Sequence, residues 1–117
     1  SNLAAYHAKE SIGAVATEPF LGNPRSGRET INQIKQAIED LEQLYFESFS
    51  AIYPLMKKGA PIVIASPIHI RQGEQFPVRT KKILKKIGFI EDPISKEPVI
   101  YKREGQFVAR EIMRFTS

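Results

Sequence analysis

The chain has 117 residues, of which 42% are hydrophobic and 26% charged, and it carries a net charge of +4. This length suits one domain that buries roughly two-thirds of its unfolded surface, and the charge mildly favours a polyanionic partner. The absence of cysteine excludes disulfides, thiolate metal sites and cysteine nucleophiles. The two histidines, His7 and His69, are too few for a histidine-rich metal site.

The termini and the hydropathy of the chain indicate its domain organisation and its cellular compartment. No apolar run approaches the roughly 20 residues that span a bilayer, and no charged-then-apolar leader is visible. We therefore expect a cytoplasmic protein without a membrane partner. Residues 1–11 are interpreted as a remnant helix, over 3–10, or an expression leader, and residues 12–117 as a single α/β domain.

The first half of the chain predicts a strand and a long helix. A short apolar run at residues 12–17 predicts a strand covered on both faces, as in parallel sheets. Ser26 and Glu29 have capping-box spacing, which predicts a helix that begins near Gly27 or Arg28. The apolar residues of this helix recur every three or four positions and so form one stripe: Ile31, Ile34, Ile38, Leu41, Tyr45, Phe49, Ile52 and Met56. Proline at position 54 should kink or end it.

The middle of the chain predicts a second strand and a second helix. Residues 61–66 form a buried-strand pattern that should end at Pro67, with a loop over residues 67–77. A helix is then expected from about Pro77 to Ile87, with a glycine after it as the stop.

The last part of the chain predicts a hairpin. Residues 89–94 form a weak third strand, and residues 99–103 and 107–115 flank a Glu-Gly-Gln turn. Alternating strands and helices indicate an open α/β sheet, mainly parallel, with a closing antiparallel hairpin.

The loop after the first strand carries the clearest chemical signal. Ligands in open α/β sheets bind beyond the carboxyl ends of strands, and Glu18, Pro19 and Phe20 directly follow such an end. A carboxylate, a stiff proline and an aromatic ring in succession can accept hydrogen bonds from an amine and stack on a base. Taken alone, the tripeptide is more often a simple strand-ending turn.

A family resemblance raises the weight of this loop. Residues 14–22, Ala-Val-Ala-Thr-Glu-Pro-Phe-Leu-Gly, resemble the fourth conserved motif of amino-group methyltransferases, (Asp/Asn)-Pro-Pro-(Tyr/Phe). They look closest to the Thr-Glu-Pro-Tyr-Leu-Gly variant of the RNA methylase family that includes the tRNA guanine-N2 methyltransferases. Residues 44–67 are similar to that family's helix and fifth strand, and residues 101–112 are similar to its closing hairpin.

The resemblance implies a fold and a reaction. It implies the C-terminal half of a class I, Rossmann-like catalytic domain, and methyl transfer from S-adenosylmethionine to an exocyclic amine of RNA, with tRNA as the substrate. The polar residue that accepts hydrogen bonds from the target amine is then Thr17 or Glu18. Pro19 takes a proline position, and Phe20 takes the base-stacking position or the one beside it. The amine lone pair attacks the sulfonium methyl in line, so no general base is required.

Two departures from the family limit what this chain does alone. The glycine-rich turn and the acidic strand end that hold S-adenosylmethionine in the family have no counterpart, so we expect the chain to bind no cofactor and to be inactive. The first strand also lacks its usual neighbour, which predicts self-association through residues 12–17 or through the long helix. Two alternatives stay open: a non-catalytic nucleic-acid-binding or assembly module, and a half that complements a separate cofactor-binding chain.

Basic side chains are weaker candidates for nucleic-acid contact. Arg25 and Arg28 lie beside the motif loop, and Arg71 follows the second strand, where Ser66 and His69 are candidates to line the same cleft. The second helix carries a dense basic run: Arg79, Lys81, Lys82, Lys85 and Lys86. Phosphate contact is one interpretation of this run, but a solvated outer helix face is preferred. The hairpin residues Tyr101, Arg103 and Arg110 are assigned to packing.

Overall fold

The computed structural model describes residues 13–17, 26–102 and 107–117, and within them the chain forms a six-stranded mixed sheet with two helices. The helix expected over residues 3–10 lies outside these ranges. The elements in chain order are β1 (Val15–Thr17), α1 (Ile31–Ile52), a 3-10 turn (Tyr53–Leu55), β2 (Pro61–Arg71), β3 (Glu74–Pro77), α2 (Thr80–Ile87), β4 (Ile90–Glu91), β5 (Val99–Tyr101) and β6 (Val108–Thr116).

The sheet has the strand order β1-β2-β6-β4, with β3 paired to β2 and β5 paired to β6. Only β1 and β2 pair in parallel, and the other four pairings between described strands are antiparallel. The expectation of a mainly parallel sheet is therefore wrong for the pairings, although β1, β2 and β4 run in one direction. The reason is β6, which follows β5 as an antiparallel partner, as expected for the closing hairpin, and inserts between β2 and β4.

The helix α1 begins later than expected because a second capping pattern lies downstream of the first. Thr30 Oγ1 accepts a hydrogen bond from the backbone nitrogen of Gln33 at 3.1 Å, and Gln33 Oε1 accepts one from the backbone nitrogen of Thr30 at 2.8 Å. Gly27 has a φ of +86°, outside the right-handed helical region, so the helix cannot begin there. Ile31 is therefore the first helical residue.

The apolar stripe of α1 faces the sheet as predicted. Its buried members are Ile34, Ile38, Leu41, Tyr45 and Phe49, and Met56 after the helix is buried with them. The helix ends at Ile52, and Pro54 sits in the 3-10 turn that follows. This confirms that the proline ends the helix, because a proline within the helix would remove a hydrogen bond and clash with the preceding turn.

Strand β2 continues through Pro67 to Arg71, so the predicted end at the proline is wrong. The carbonyl of Pro67 accepts a hydrogen bond from the backbone nitrogen of Val78, on the edge of β2 that faces away from β6. The nitrogen of a strand residue points to the same edge as its carbonyl, so the missing N–H of Pro67 removes nothing from the ladder with β6.

The expected loop over residues 67–77 is a hairpin in which β3 pairs antiparallel with β2. Its two turn residues, Gln72 and Gly73, both have positive φ, at 52° and 80°, as a type I′ turn requires. Because Pro77 ends β3, α2 begins at Thr80 rather than near the proline. Gly88 ends α2 as predicted.

The core lies between one face of the sheet and the two helices. Ile62 and Ile64 of β2, Leu84 of α2 and Phe115 of β6 are fully buried there. Because α1 and α2 cover the same face, Ala16 of β1 is exposed, and the expectation of a first strand covered on both faces is wrong. In the part of the chain that the structure describes, no helix combines the length and hydrophobicity needed to cross a bilayer.

Candidate functional site

The predicted motif begins at the carboxyl end of β1. Thr17 is the last residue of this strand, is half-buried, and pairs in register with Ile64 of the parallel strand β2. The motif residues that follow, Glu18, Pro19 and Phe20, lie outside the described residues, as does Arg25. Thr17 therefore places the first residue of the motif at the carboxyl end of β1.

The chain returns from the motif loop through a hydrogen-bonded turn. The Glu29 carboxylate accepts hydrogen bonds from the backbone nitrogen of Ser26 at 2.9 Å, the Ser26 hydroxyl at 2.7 Å and the backbone nitrogen of Gly27 at 3.2 Å. Nε of Arg71 donates to the Glu29 carbonyl at 2.8 Å. The Ser26–Glu29 pair thus stabilises the approach to α1 rather than capping the helix, and Arg71 attaches this approach to the end of β2.

Phe107 joins the same turn from the start of β6. Its carbonyl accepts a hydrogen bond from the backbone nitrogen of Ile70 at 2.8 Å, and its ring abuts Gly27. A Cβ on Gly27 would lie only 2.7 Å from Cζ of Phe107, so a side chain there would displace the ring from this position. Three segments therefore meet beyond the sheet: the return from the motif loop, the tip of β2 and the start of β6.

No local sequence pattern predicts the contact between Gly27 and Phe107, because the two residues are far apart in the chain and belong to different predicted elements. The one available signal was the glycine itself: a glycine just before a helix often marks a tight backbone position with a close neighbour.

The two ends of the motif loop lie at different heights along β2. Thr17 is level with Ile64, whereas Phe107 and its neighbour Gly27 are level with Ile70. Six residues of extended strand span about 20 Å. The end of β2 and the residues that contact it thus extend past the carboxyl end of β1.

Two of the residues that were expected to line a cleft here are buried instead. Ser66 forms a hydrogen bond of 2.6 Å with the Thr80 hydroxyl beneath α2, and both side chains are buried. His69 is also buried. Arg28 is exposed and Arg71 is partly exposed, so the arginines are the accessible members of the predicted set in the described part of this edge.

The basic face of α2 is largely occupied by ion pairs. Arg79 donates three hydrogen bonds to the Glu42 carboxylate, at 2.8–2.9 Å, from Nε, Nη2 and its backbone nitrogen. Lys81 and Lys85 both contact the Glu91 carboxylate, at 2.9 and 3.3 Å. These pairs favour the interpretation of α2 as a solvated structural face, with Arg79 joining α2 to α1. Lys82 lies on the exposed side of the same helix.

The pair of Glu42 and Arg79 should make stability depend on pH. The Arg79 hydrogen bond holds the pKa of Glu42 below its ordinary value of 4.5. A depressed pKa contributes stability above the ordinary value, and this contribution is lost as pH falls through the lower, folded-state pKa. Glu42→Gln should therefore lower the free energy of unfolding by up to about 1 kcal/mol at pH 7, because Arg79 is exposed and solvent screens the pair.

Urea unfolding at pH 7 and at several values below 4.5 measures this effect. The difference between Glu42→Gln and the unmodified protein should shrink as the pH falls. Glu47→Gln, on the exposed side of the same helix, is the matched control and should show little change at any pH. An equal loss at neutral and acid pH would contradict the ion-pair explanation.

Among the described residues, no group of three or more His, Asp or Glu side chains is placed to hold a metal ion.

Comparison with known proteins shows which solved structures have a similar fold. No family model and no curated protein matches the chain. Three crystal structures of one protein from Thermus thermophilus, described as a "putative DNA modification methylase", do match, and one of them is complexed with S-adenosyl-L-methionine. Their TM-scores are 0.53, 0.55 and 0.53, at sequence identities of 16%, 16% and 17%.

These alignments cover 99%, 98% and 99% of this chain but only 49%, 50% and 52% of the methylase chain. The chain thus spans about half the length of the solved protein that it matches. At this identity the similarity concerns the fold alone. The chain has a methyltransferase-like α/β fold.

Proposed function

We propose that this chain is the C-terminal half of an S-adenosylmethionine-dependent methyltransferase that acts on an exocyclic amine of a nucleic-acid base, with tRNA as the substrate. The observation that carries the proposal is the position of Thr17 at the carboxyl end of β1, beside the parallel strand β2. Glu18, Pro19 and Phe20 follow Thr17 in the sequence, and α/β sheets bind ligands beyond the carboxyl ends of their strands. The methyltransferase-like fold supports the same assignment.

The motif residues would position the amine rather than activate it by proton removal. Thr17 or Glu18 accepts hydrogen bonds from the amino hydrogens, which directs the nitrogen lone pair away from them. Phe20 stacks on the extruded base and fixes its plane. The bound cofactor would supply a methyl group carried on a sulfonium.

The cofactor-binding half would lie outside this chain, either in the remainder of a longer protein or in a separate polypeptide. The length of the similar methylase, about twice that of this chain, supports this division. On this proposal the chain alone is inactive. Self-association through residues 12–17 or α1 stays a prediction, and in the described part of the sheet β1 pairs with β2 alone.

DNA is the second candidate substrate. The solved protein with the shared fold is described as a DNA modification methylase, and the exocyclic amines of DNA and RNA bases have the same chemistry. The contacts that distinguish a tRNA from a DNA duplex would lie in the half of the protein outside this chain.

The proposal predicts methyl transfer by the full-length protein and its loss in motif variants. Labelled S-adenosylmethionine is incubated with bulk tRNA, and the incorporated label is counted. Phe20→Ala should lower the rate about fivefold or more, because one base–aromatic stack stabilises the complex by about 1–3 kcal/mol. Glu18→Ala and Thr17→Val should differ in effect, and the larger loss identifies the polar motif residue.

Glu39→Ala, on the exposed side of α1, serves as the control and should retain the activity of the unmodified protein. Duplex DNA in place of tRNA decides between the two substrates. Full activity in the Phe20 variant and in both polar variants would overturn the assignment of the motif loop.

A further inference from the structure

Exposed large hydrophobic side chains gather at the edge of the sheet that β4 and β5 form. This edge lies opposite β1 in the strand order, because β4 and β5 both pair with β6 on the side away from β2. The exposed side chains are Ile90, Ile94, Val99, Ile100 and Tyr101, with exposed fractions from 39% to 64%. All three residues of β5 belong to this set. Apolar side chains that are grouped on one exposed strand, rather than scattered, mark an interaction surface.

The outer edge of β5 presents the backbone groups of Ile100. The backbone nitrogen of Asp92 donates to the carbonyl of Arg114 at 3.0 Å, so Arg114 bonds on the edge of β6 away from β2. Every second residue of an antiparallel strand bonds on the same edge, so Ile112 does so as well. Its partner Val99 therefore faces β6, and the N–H and C=O groups of Ile100 point outwards. In the described part of the sheet β5 pairs with β6 alone, and such an edge is a template for another strand.

The sequence around Ile100 is complementary to itself when two copies run antiparallel. With Ile100 opposite Ile100 of a second copy, Val99 lies opposite Tyr101 of that copy. A β-branched side chain opposite an aromatic one stabilises an antiparallel pair of strands. The same register sets Glu97 opposite Arg103, and two-fold symmetry makes this pair occur twice.

The charges favour this register over its neighbours. It also sets Lys96 opposite Glu104, so the flanking charges are matched. Because the bonding edges alternate, the strands can shift only by two residues. A shift in one direction sets Lys96 opposite Lys102, and a shift in the other leaves Glu97 without a cation opposite it. Residues 103 and 104 lie outside the described residues, so their part in this match is taken from the sequence.

We propose that a second copy of this chain pairs antiparallel with β5 about a two-fold axis at Ile100, so that the two sheets become one continuous sheet. The N–H of Ile100 donates to the Ile100 carbonyl of the other copy, and the symmetry-related bond runs the other way. This surface is separate from residues 12–17 and α1, because β5 lies at the sheet edge opposite β1. The contact uses none of the motif residues, so it does not depend on the proposed function.

The test is the oligomeric state of the full-length protein, measured by sedimentation equilibrium over a range of concentrations. The unmodified protein should be a dimer. Ile100→Lys sets two ammonium groups opposite each other at the axis and should raise the dimer dissociation constant about tenfold or more. Leu44→Lys, at a 41% exposed hydrophobic residue on α1, is the matched control and should leave this constant unchanged.

Charge reversal tests the register. Glu97→Arg and Arg103→Glu should each raise the dissociation constant about threefold or more, because each sets like charges opposite each other twice. The variant that carries both changes restores the opposite charges and should return close to the unmodified value. Thermal unfolding of each variant checks that the fold persists, and the double variant decides the matter where a single variant is destabilised.

Three results would overturn the proposal. The first is an unmodified protein that stays monomeric at every concentration. The second is a dimer that Ile100→Lys leaves intact, and in that case its loss in Leu44→Lys would assign the contact to α1. The third is a double charge variant that dissociates at least as readily as the two single variants.

Discussion

Phe115→Ala is expected to lower the free energy of unfolding by about 3–5 kcal/mol, the range for truncation of a buried phenylalanine. Phe115 is fully buried and lies in β6 opposite Ile62 of β2 and Glu91 of β4. It therefore fills the core at the point where β6 joins the two flanking strands. Urea unfolding monitored by circular dichroism measures the loss.

The matched control is Phe46→Ala, because this phenylalanine is 37% exposed on the outer side of α1 and contacts Lys86. Its loss should be roughly 1 kcal/mol, the value of an exposed cation–π contact with some burial. Equal losses for the two variants would contradict the placement of β6 between β2 and β4, because Phe115 would then be no more buried than Phe46.

Thr80→Val should lower the free energy of unfolding by about 1–3 kcal/mol even though the two side chains have the same shape. The hydroxyls of Thr80 and Ser66 are 2.6 Å apart and buried, so the valine leaves the serine hydroxyl without this partner and away from water. The cost is the desolvation of a polar group that is no longer compensated.

The same pair allows a double-mutant cycle. Ser66→Ala should be destabilising for the same reason, whereas Ser66→Ala combined with Thr80→Val should recover much of the loss, because both polar groups are then removed together. Simple additivity of the two single losses would show that the hydroxyls do not depend on each other, contrary to their 2.6 Å separation.

The elements with strong local signals were predictable from sequence. The stripe that includes Ile34 and Phe49 repeats every three or four residues, and Pro54 and Gly88 have backbone restrictions that act wherever they occur. The antiparallel pairing of β5 with β6 was predictable because the two apolar segments flank the short polar sequence Glu-Gly-Gln. In these cases the local chain and the tertiary structure favour the same conformation.

The incorrect predictions concern segments whose structure depends on pairing with distant strands. Proline ends many strands. The nitrogen of Pro67, however, faces the edge of β2 away from β6, so no hydrogen bond between β2 and β6 is lost. The turn at Gln72-Gly73 lacks the common Asn-Gly signal, so β3 was assigned to a loop. The position of β6 between β2 and β4 depends on contacts between distant segments, which no local pattern encodes.

The candidate site divides in the same way. The carboxyl-edge position of Thr17 followed from the apolar run and the break after it. The attachment of Arg71 to Glu29 and the contact of Phe107 with Gly27 join segments that are distant in sequence, and only the folded chain brings them together.

Strand β3 has a consequence for the length of β1. Both strands pair with the same edge of β2, β1 at Ile62–Ile64 and β3 at Ile68–Arg71, because β6 covers the opposite edge. A β1 extended by several residues would run into β3. The hairpin of β2 and β3 thus sets an upper limit on the length that the first strand can have along this edge of β2.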